Sequence, residues 1–202
     1  MPPPDWVQDS IFYQIFPDRF ANGDPSLNPP NVQTWGSPPY LRGFMGGDLE
    51  GVIQKIDYLL DLGINAIYFN PIFDASSNHR YDTRDYFKID PKLGDLSTFQ
   101  RLLKRAHTAG IRVILDGVFN HCGRGFFAFS DLAENEDASP YRDWFHVKDF
   151  PLNPFGEGES NYSAWWDLKS LPKFNTRAPQ VRKYLLHVAR YCIDQGADGS
   201  RL

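Results

Sequence analysis

The sequence predicts an α/β fold in which short parallel strands alternate with amphipathic helices. Three observations carry that expectation. Apolar runs at residues 11–16, 66–69 and 111–115 are too short for helices and are bounded by turn residues, and residues 197–202 take the place of a fourth strand after the last helix. The segments between them place apolar side chains at helical spacing. Gly63, Gly110 and Gly196 each close such a segment and open directly into the next run, as short right-handed crossovers require.

The elements follow in order. Residues 11–16 read as a buried strand. Leu49, Val52, Ile53, Ile56, Leu59 and Leu60 form a one-faced helix ahead of Gly63, and residues 66–69 form the next strand with Asn70-Pro71 as its exit turn. A helix over 97–109 buries Phe99, Leu102, Leu103 and Ala106, and the strand 111–115 follows. The last helix buries Val181, Tyr184, Leu185, Val188 and Cys192 and leads into the strand 197–202. Residues 122–176 carry no clean period and are rich in Phe, Trp, Tyr, Pro and Asn, so they read as an excursion from the strand–helix rhythm. An open doubly wound sheet and a (β/α)8 barrel both fit this order. No glycine-rich phosphate loop follows any strand, which removes the usual nucleotide-binding signatures.

Composition narrows the function classes. The 202 residues are 42% hydrophobic and 15% aromatic, a globular composition. A formal net charge of −4 without a basic run argues against nucleic acid as a partner. No apolar run approaches the ~20 residues of a membrane span, and the start Met1-Pro-Pro-Pro-Asp-Trp6 resembles no leader. Cys122 and Cys192 make neither a disulfide framework nor a zinc site, so both are expected to be reduced, in a cytoplasmic protein. Trp35, Trp144, Trp165 and Trp166 fit core packing better than exposed sugar platforms, and His107 and His187 fall on exposed helix faces.

Chemistry-bearing residues gather after the strand at 111–115. Asp116, Asn120 and His121 crowd its C-terminal edge in Asp116-Gly-Val-Phe-Asn-His121, where alternating strand–helix folds assemble their active sites. Asn22-Gly-Asp-Pro-Ser-Leu-Asn28 and Gly46-Gly-Asp48 form a second oxygen-rich pair of segments. Read as they stand, Asn-Gly-Asp-Pro is an ordinary turn and Asp48 suits a helix cap.

Several motifs, taken in order along the chain, carry a family resemblance. They are Ile11-Phe-Tyr-Gln-Ile-Phe-Pro-Asp-Arg-Phe20, Asn78-His-Arg-Tyr-Asp-Thr-Arg-Asp-Tyr86, Asp116-Gly-Val-Phe-Asn-His121, Leu171-Pro-Lys-Phe-Asn175 and Gly199-Ser-Arg-Leu202. Along essentially its whole length the chain resembles glycoside hydrolase family 13, the α-amylase family. Its flavour is that of the neopullulanase and cyclomaltodextrinase subgroup, and the resemblance covers the N-terminal half of the family's catalytic domain. It implies a partial (β/α)8 barrel of about four strands, with barrel at 1–121, a B-domain insertion after the third strand at 122–176, and barrel again at 177–202.

The resemblance also implies roles. The parent activity is retaining hydrolysis of α-1,4 and α-1,6 glucosidic bonds in maltooligosaccharides, cyclodextrins, pullulan or starch. Such chemistry needs two carboxyl groups about 5–5.5 Å apart. Tyr81 would stack on the sugar before the cleaved bond, His121 would hydrogen-bond its hydroxyls, and Asp82, also counted with the substrate-binding residues, would help Asp116 hold Arg201. Arg201 would orient the nucleophile, Asp116 would fix Arg201, and Asn120 would support the loop. The Ca2+ implied near the first strand would draw on Asn22, Asp24, Asn28, Gly46 and Asp48. The nucleophile would follow at position 203 and the acid/base glutamate later still, so the 202-residue chain alone is expected to be inactive. Ser200 replaces the family's bulky residue before the arginine. A different reading is a non-catalytic half-barrel that binds α-glucans. Two open strand edges add self-association or a homodimer to the expected partners.

Overall fold

The computed structural model describes residues 4–202; the first three residues of the Met1–Trp6 segment lie outside them. In chain order the elements are β1 (Phe12–Ile15), α1 (Pro17–Phe20), α2 (Leu49–Gln54), α3 (Ile56–Asp61), β2 (Ala66–Phe69), β3 (Phe73–Ala75), β4 (Thr83–Ile89), α4 (Leu96–Thr108), β5 (Arg112–Asp116), α5 (Phe127–Asn135), α6 (Pro179–Asp194) and β6 (Gly199–Arg201). They divide into two compact units. One holds Met1–Ile72, Ile89–Asp116 and Cys192–Arg201; the other holds Phe73–Lys88, Gly117–Tyr191 and Leu202.

The first unit is built on a four-stranded sheet in the order β1-β2-β5-β6, every pair parallel. The register aligns Ile15 with Phe69, Phe69 with Leu115, and Asp116 with Arg201, so the C-terminal ends of the strands lie level. Val52, Ile56, Leu59, Phe99 and Leu102 join Ile67, Phe69, Val113 and Leu115 in its core. The helix α4 begins where the Asp95 side chain accepts the Thr98 N–H at 2.7 Å, a cap worth about 1 kcal/mol.

The first strand is not buried: Ile11 and Phe12 are exposed, and only Ile15 of β1 is fully enclosed. As an edge strand it packs against a single neighbour. The helix before Gly63 is also two helices, broken at Lys55 (φ −103°, ψ 7°). The chain carries more apolar positions there than one stripe can bury. Leu49, Val52, Ile56 and Leu59 take the inner face, and Leu60 is left 40% exposed.

Close backbone contact fixes the start of α2. A Cβ on Gly51 would lie 2.1 Å from the Ala21 carbonyl oxygen, and one on Gly47 would lie 2.1 Å from that of Pro17. The Asp48 and Gly47 N–H groups donate to Ala21 and Asp18 carbonyls, both at 3.0 Å. The buried Asp18 carboxylate accepts from the Met45 and Gly46 N–H groups and pairs with Arg19 at 3.0 Å.

The second unit is an aromatic cluster threaded by short bridges. Tyr86 on β4 meets Phe126 at 5.8 Å and Tyr184 on α6 at 6.2 Å, and Tyr184 meets Trp144 at 5.5 Å. Phe129, Phe145, Tyr162 and Phe174 complete the core. The pairing of β3 with β4 and the helix α5 were not legible as periods in the sequence. In α5 the buried face is only Ala128, Phe129 and Leu132, and the outward aromatic Phe127 obscures it. Isolated bridges join His121 to Lys173, Phe145 to Phe174, Val147 to Tyr162 and Ala164 to Pro172.

Candidate active site

In the first unit, the C-terminal ends of β2, β5 and β6 assemble a polar network on an otherwise apolar sheet. Asp116 ends β5 and is 8% exposed. The Tyr68 hydroxyl on β2 donates to its Oδ2 at 2.5 Å. The same hydroxyl accepts from Arg201 Nη1 at 3.3 Å, and the guanidinium sits 5.4 Å from the Tyr68 ring centroid. Asp116 and Arg201 are thus brought together, with a tyrosine between them that sequence reasoning missed. The available signal was a polar-headed aromatic in the run Ala66-Ile-Tyr-Phe69, one place before the strand's end. Beside it, Gln14 Nε2 on β1 donates to Asn70 Oδ1 at 2.9 Å. Ser200 of β6 is exposed and pairs with Leu115 of β5.

In the second unit, Tyr81 and Asp82 lie in the turn between β3 and β4. Asp82 is 9% exposed, and its carboxylate accepts from the backbone N–H groups and hydroxyls of both Ser76 and Ser77. It organises the loop that carries Tyr81. Arg80 precedes it in the left-handed region (φ 60°), 1% exposed, with Nη1 donating to the Asn78 carbonyl at 2.6 Å. The Tyr81 N–H donates to His79 Nδ1 at 3.1 Å, and the two rings are 6.0 Å apart. Burial holds the His79 imidazole below its ordinary pKa, opposed by the Asp82 carboxylate and reinforced by Arg80. A neutral His79 keeps Nδ1 able to accept that N–H.

His121, 6% exposed, is held from several sides. Its carbonyl accepts the buried Tyr86 hydroxyl at 3.0 Å, its backbone bridges to Lys173, and its ring lies 5.6 Å from Trp165. Asn120 Nδ2 sits 3.2 Å from His121 Nδ1, and the Asn120 carbonyl accepts the Phe174 N–H at 3.0 Å. Burial raises the Tyr86 hydroxyl and the Cys122 thiol well above their ordinary pKa values, so both stay protonated. Cys122 and Cys192 are free and buried.

The oxygen-rich segments of the first unit divide by role. Asp48 caps α2, with Oδ1 accepting from Gly51 N–H at 2.6 Å and Oδ2 from the Gly23 and Asp24 N–H groups at 3.0 and 2.8 Å. Asp24 accepts from the Ser26 hydroxyl and N–H, which lower its pKa. By contrast Asn22 Oδ1 is buried with no hydrogen-bond partner. Asn22 Nδ2 donates to Asn28 Oδ1 at 3.0 Å, and both side chains press on Gly46 (φ +84°), where a Cβ would lie 2.3 Å from Asn28 Oδ1. The amide and carbonyl oxygens of Asn22, Asn28 and Gly46 have the donor chemistry of a hard-cation site. Among the described residues no group of three or more His, Cys, Asp or Glu side chains is placed to hold a metal.

Trp144 is buried as expected, but Trp35, Trp165 and Trp166 are not: they are 47%, 39% and 81% exposed. Among the described residues no helix is long and apolar enough to cross a membrane.

The chain is 53% identical to a cyclomaltodextrinase of Geobacillus thermopakistaniensis (strain MAS1) over 201 residues, spanning 98% of this chain and 34% of that protein. It is 48% identical to neopullulanase 2 of Thermoactinomyces vulgaris, spanning 98% and 34%. It therefore covers about a third of the length of these relatives. Among solved structures, the cyclic α-maltosyl-(1→6)-maltose hydrolase of Arthrobacter globiformis, in complex with cyclic α-maltosyl-(1→6)-maltose, superposes with a TM-score of 0.95 at 52% identity over 98% of this chain and 45% of its own. The model of the alpha-amylase catalytic domain matches residues 14–202, so this parallel sheet with its polar strand ends belongs to the alpha-amylase family.

Proposed function

We propose that the chain is the N-terminal part of a retaining α-glucan hydrolase acting on α-1,4 and α-1,6 glucosidic bonds. Maltooligosaccharides, cyclodextrins, pullulan and starch are its substrate class. The observation that carries this reading is the Asp116–Tyr68–Arg201 network at the C-terminal ends of β5, β2 and β6. A guanidinium tethered there keeps a neighbouring nucleophilic carboxylate ionised and fixes its direction. Tyr81 stacks on the sugar ring before the scissile bond, and His121, braced by Asn120, binds its hydroxyls. Asp82 acts by holding the Tyr81 loop through Ser76 and Ser77. The four parallel strands form about half of a (β/α)8 barrel, with residues 122–176 as its B-domain insertion between barrel segments 1–121 and 177–202. Two free, buried thiols suit a cytoplasmic address.

Calorimetric titration with maltohexaose tests the reading. Binding that weakens in both Arg201→Ala and Tyr81→Ala is expected. Wild-type chain with no measurable heat or affinity for any α-glucan removes the proposal.

A structural Ca2+ accompanies the proposal. Asn22, Asn28 and the Gly46 carbonyl would hold it, with Asp24 and Asp48 adding charge, and it would tie the loop before α2 to the helix start. Its support is the partnerless buried oxygen of Asn22. Calcium is expected to raise the melting temperature of the wild-type chain and not that of Asn22→Ala. Identical wild-type melts with and without calcium would refute the site.

A further inference from the structure

Phe87, Phe127 and Tyr184 wall a cavity of the second unit that shares no residue with the site described above. Its volume is about 440 Å³, within the ~300–1,000 Å³ of small-molecule clefts. Tyr184 meets Phe87 at 5.9 Å and Phe127 at 5.8 Å, so the three rings form one aromatic side. Phe127 keeps 45% of its surface open to solvent. The Tyr184 hydroxyl is pushed well above its ordinary pKa by burial, with the Asp85 carboxylate adding to the effect. It therefore remains a hydrogen-bond donor at neutral pH.

The rest of the lining is polar: Asp74, Arg84 and Asp85, with Gly125 between chain segments. Arg84 Nη2 donates to Asp74 Oδ1 at 2.9 Å and to the Ala75 carbonyl at 3.2 Å, and Lys88 Nζ stands 3.8 Å from Asp74 Oδ2. The two carboxylates are thus matched by two cations, and the wall favours neither an anion nor a cation over a neutral molecule. It also has a donor to spare. Arg84 Nε is buried without a hydrogen-bond partner, an arrangement that costs stability unless something answers it. Gly125 makes room for this guanidinium, since a Cβ there would lie 2.7 Å from Arg84 Cδ.

We propose that this cavity is a second binding site for a neutral pyranose, a glucose unit of an α-glucan held apart from Tyr81 and His121. The assignment of glucose rests on the α-glucan reading. The C–H face of the sugar is weakly positive and apolar, and matches the electron-rich faces of Phe127 and Tyr184. Neighbouring hydroxyls can each donate and accept, so they would donate to the Asp85 and Asp74 carboxylates and accept from Arg84 and Tyr184. The Arg84–Asp74 ion pair fixes the polar wall in advance, which limits the side-chain freedom lost on binding.

The test is an NMR titration of the 202-residue chain with maltotriose, following the ring signals of Phe127, Tyr184 and Tyr81. Saturable shifts are expected at Phe127 and Tyr184. Arg84→Gln is expected to weaken that response about tenfold, equivalent to ~1.4 kcal/mol, and to leave the Tyr81 response unchanged. Gly125→Ala keeps every polar group but forces Arg84 to move, and is expected to weaken the same response. Shifts at Tyr81 alone overturn the second site and leave the glucan reading standing. Shifts at Phe127 and Tyr184 alone support the second site and remove Tyr81 from sugar binding. An equal or larger response to inorganic phosphate or ethylammonium overturns the proposal, since the wall then selects charge. A loss in Arg84→Gln that comes with a lowered melting temperature, and none in Gly125→Ala, also overturns it, because damage to the fold explains the loss. A chain unresponsive to maltotriose at all three rings removes both readings.

Discussion

Tyr68 shows how one hydroxyl organises two strands. It donates to Asp116 and accepts from Arg201, two residues that the register already sets opposite one another. Tyr68→Phe keeps the ring and removes a donor from a buried carboxylate, a loss on the order of 1–3 kcal/mol. We expect urea denaturation to show that loss together with weaker maltohexaose binding; a variant with unchanged stability and affinity would deny Tyr68 its bridging role. Gly51 is a backbone case. With the Ala21 carbonyl oxygen 2.1 Å from any added Cβ, Gly51→Ala must push apart two backbone segments. A cost of about 3 kcal/mol or more is expected in the same assay, since overpacking penalties run ~1–3 kcal/mol even where side chains can yield.

Elements are joined by Asp198, which precedes β6. Its Oδ1 accepts from Arg112 Nη1 of β5 at 2.7 Å, and its Oδ2 from the Val113 N–H and from His107 Nε2 of α4, both at 2.8 Å. Burial alone would raise its pKa. The Val113 N–H, Arg112 and His107 outweigh that and hold the carboxyl below the usual 3.8. A depressed carboxylate stabilises the fold above its unfolded pKa, and the contribution disappears as pH falls through the folded value. Asp198→Asn is therefore expected to cost about 1–2 kcal/mol at neutral pH, with partly exposed Arg112 and His107 keeping the loss modest. The gap between variant and wild type closes below about pH 4. A constant gap from pH 7 to pH 3 would contradict that sign. At this scale the sequence was readable where one stripe faces one layer, as in α4. At 49–60 a surplus of apolar residues conceals the break at Lys55.

At the scale of the molecule, the proposed reading draws neither its nucleophile nor its acid/base from residues 1–202. Purified 202-residue chain is expected to release no reducing sugar from maltooligosaccharides or cyclodextrins, and clear turnover would overturn that assignment. Glucan binding without turnover would accord with the Tyr68 network, whose members all lie within the chain.

The sequence by itself determined the α/β class, the four parallel strands, the strand end at Asp116, and the family. These depend on local periodicity and on residues adjacent in the chain, which need no partner to be recognised. Tertiary structure alone decided that Tyr68 stands between Asp116 and Arg201, that Asp82 is committed to Ser76 and Ser77, and that Asp48 caps α2. It also decided that Trp166 faces solvent while Trp144 is enclosed. The reason is physical: which side chain meets which, and which face is covered, depends on crossovers that bring together residues as far apart as Tyr68 and Arg201, and composition is blind to that closure.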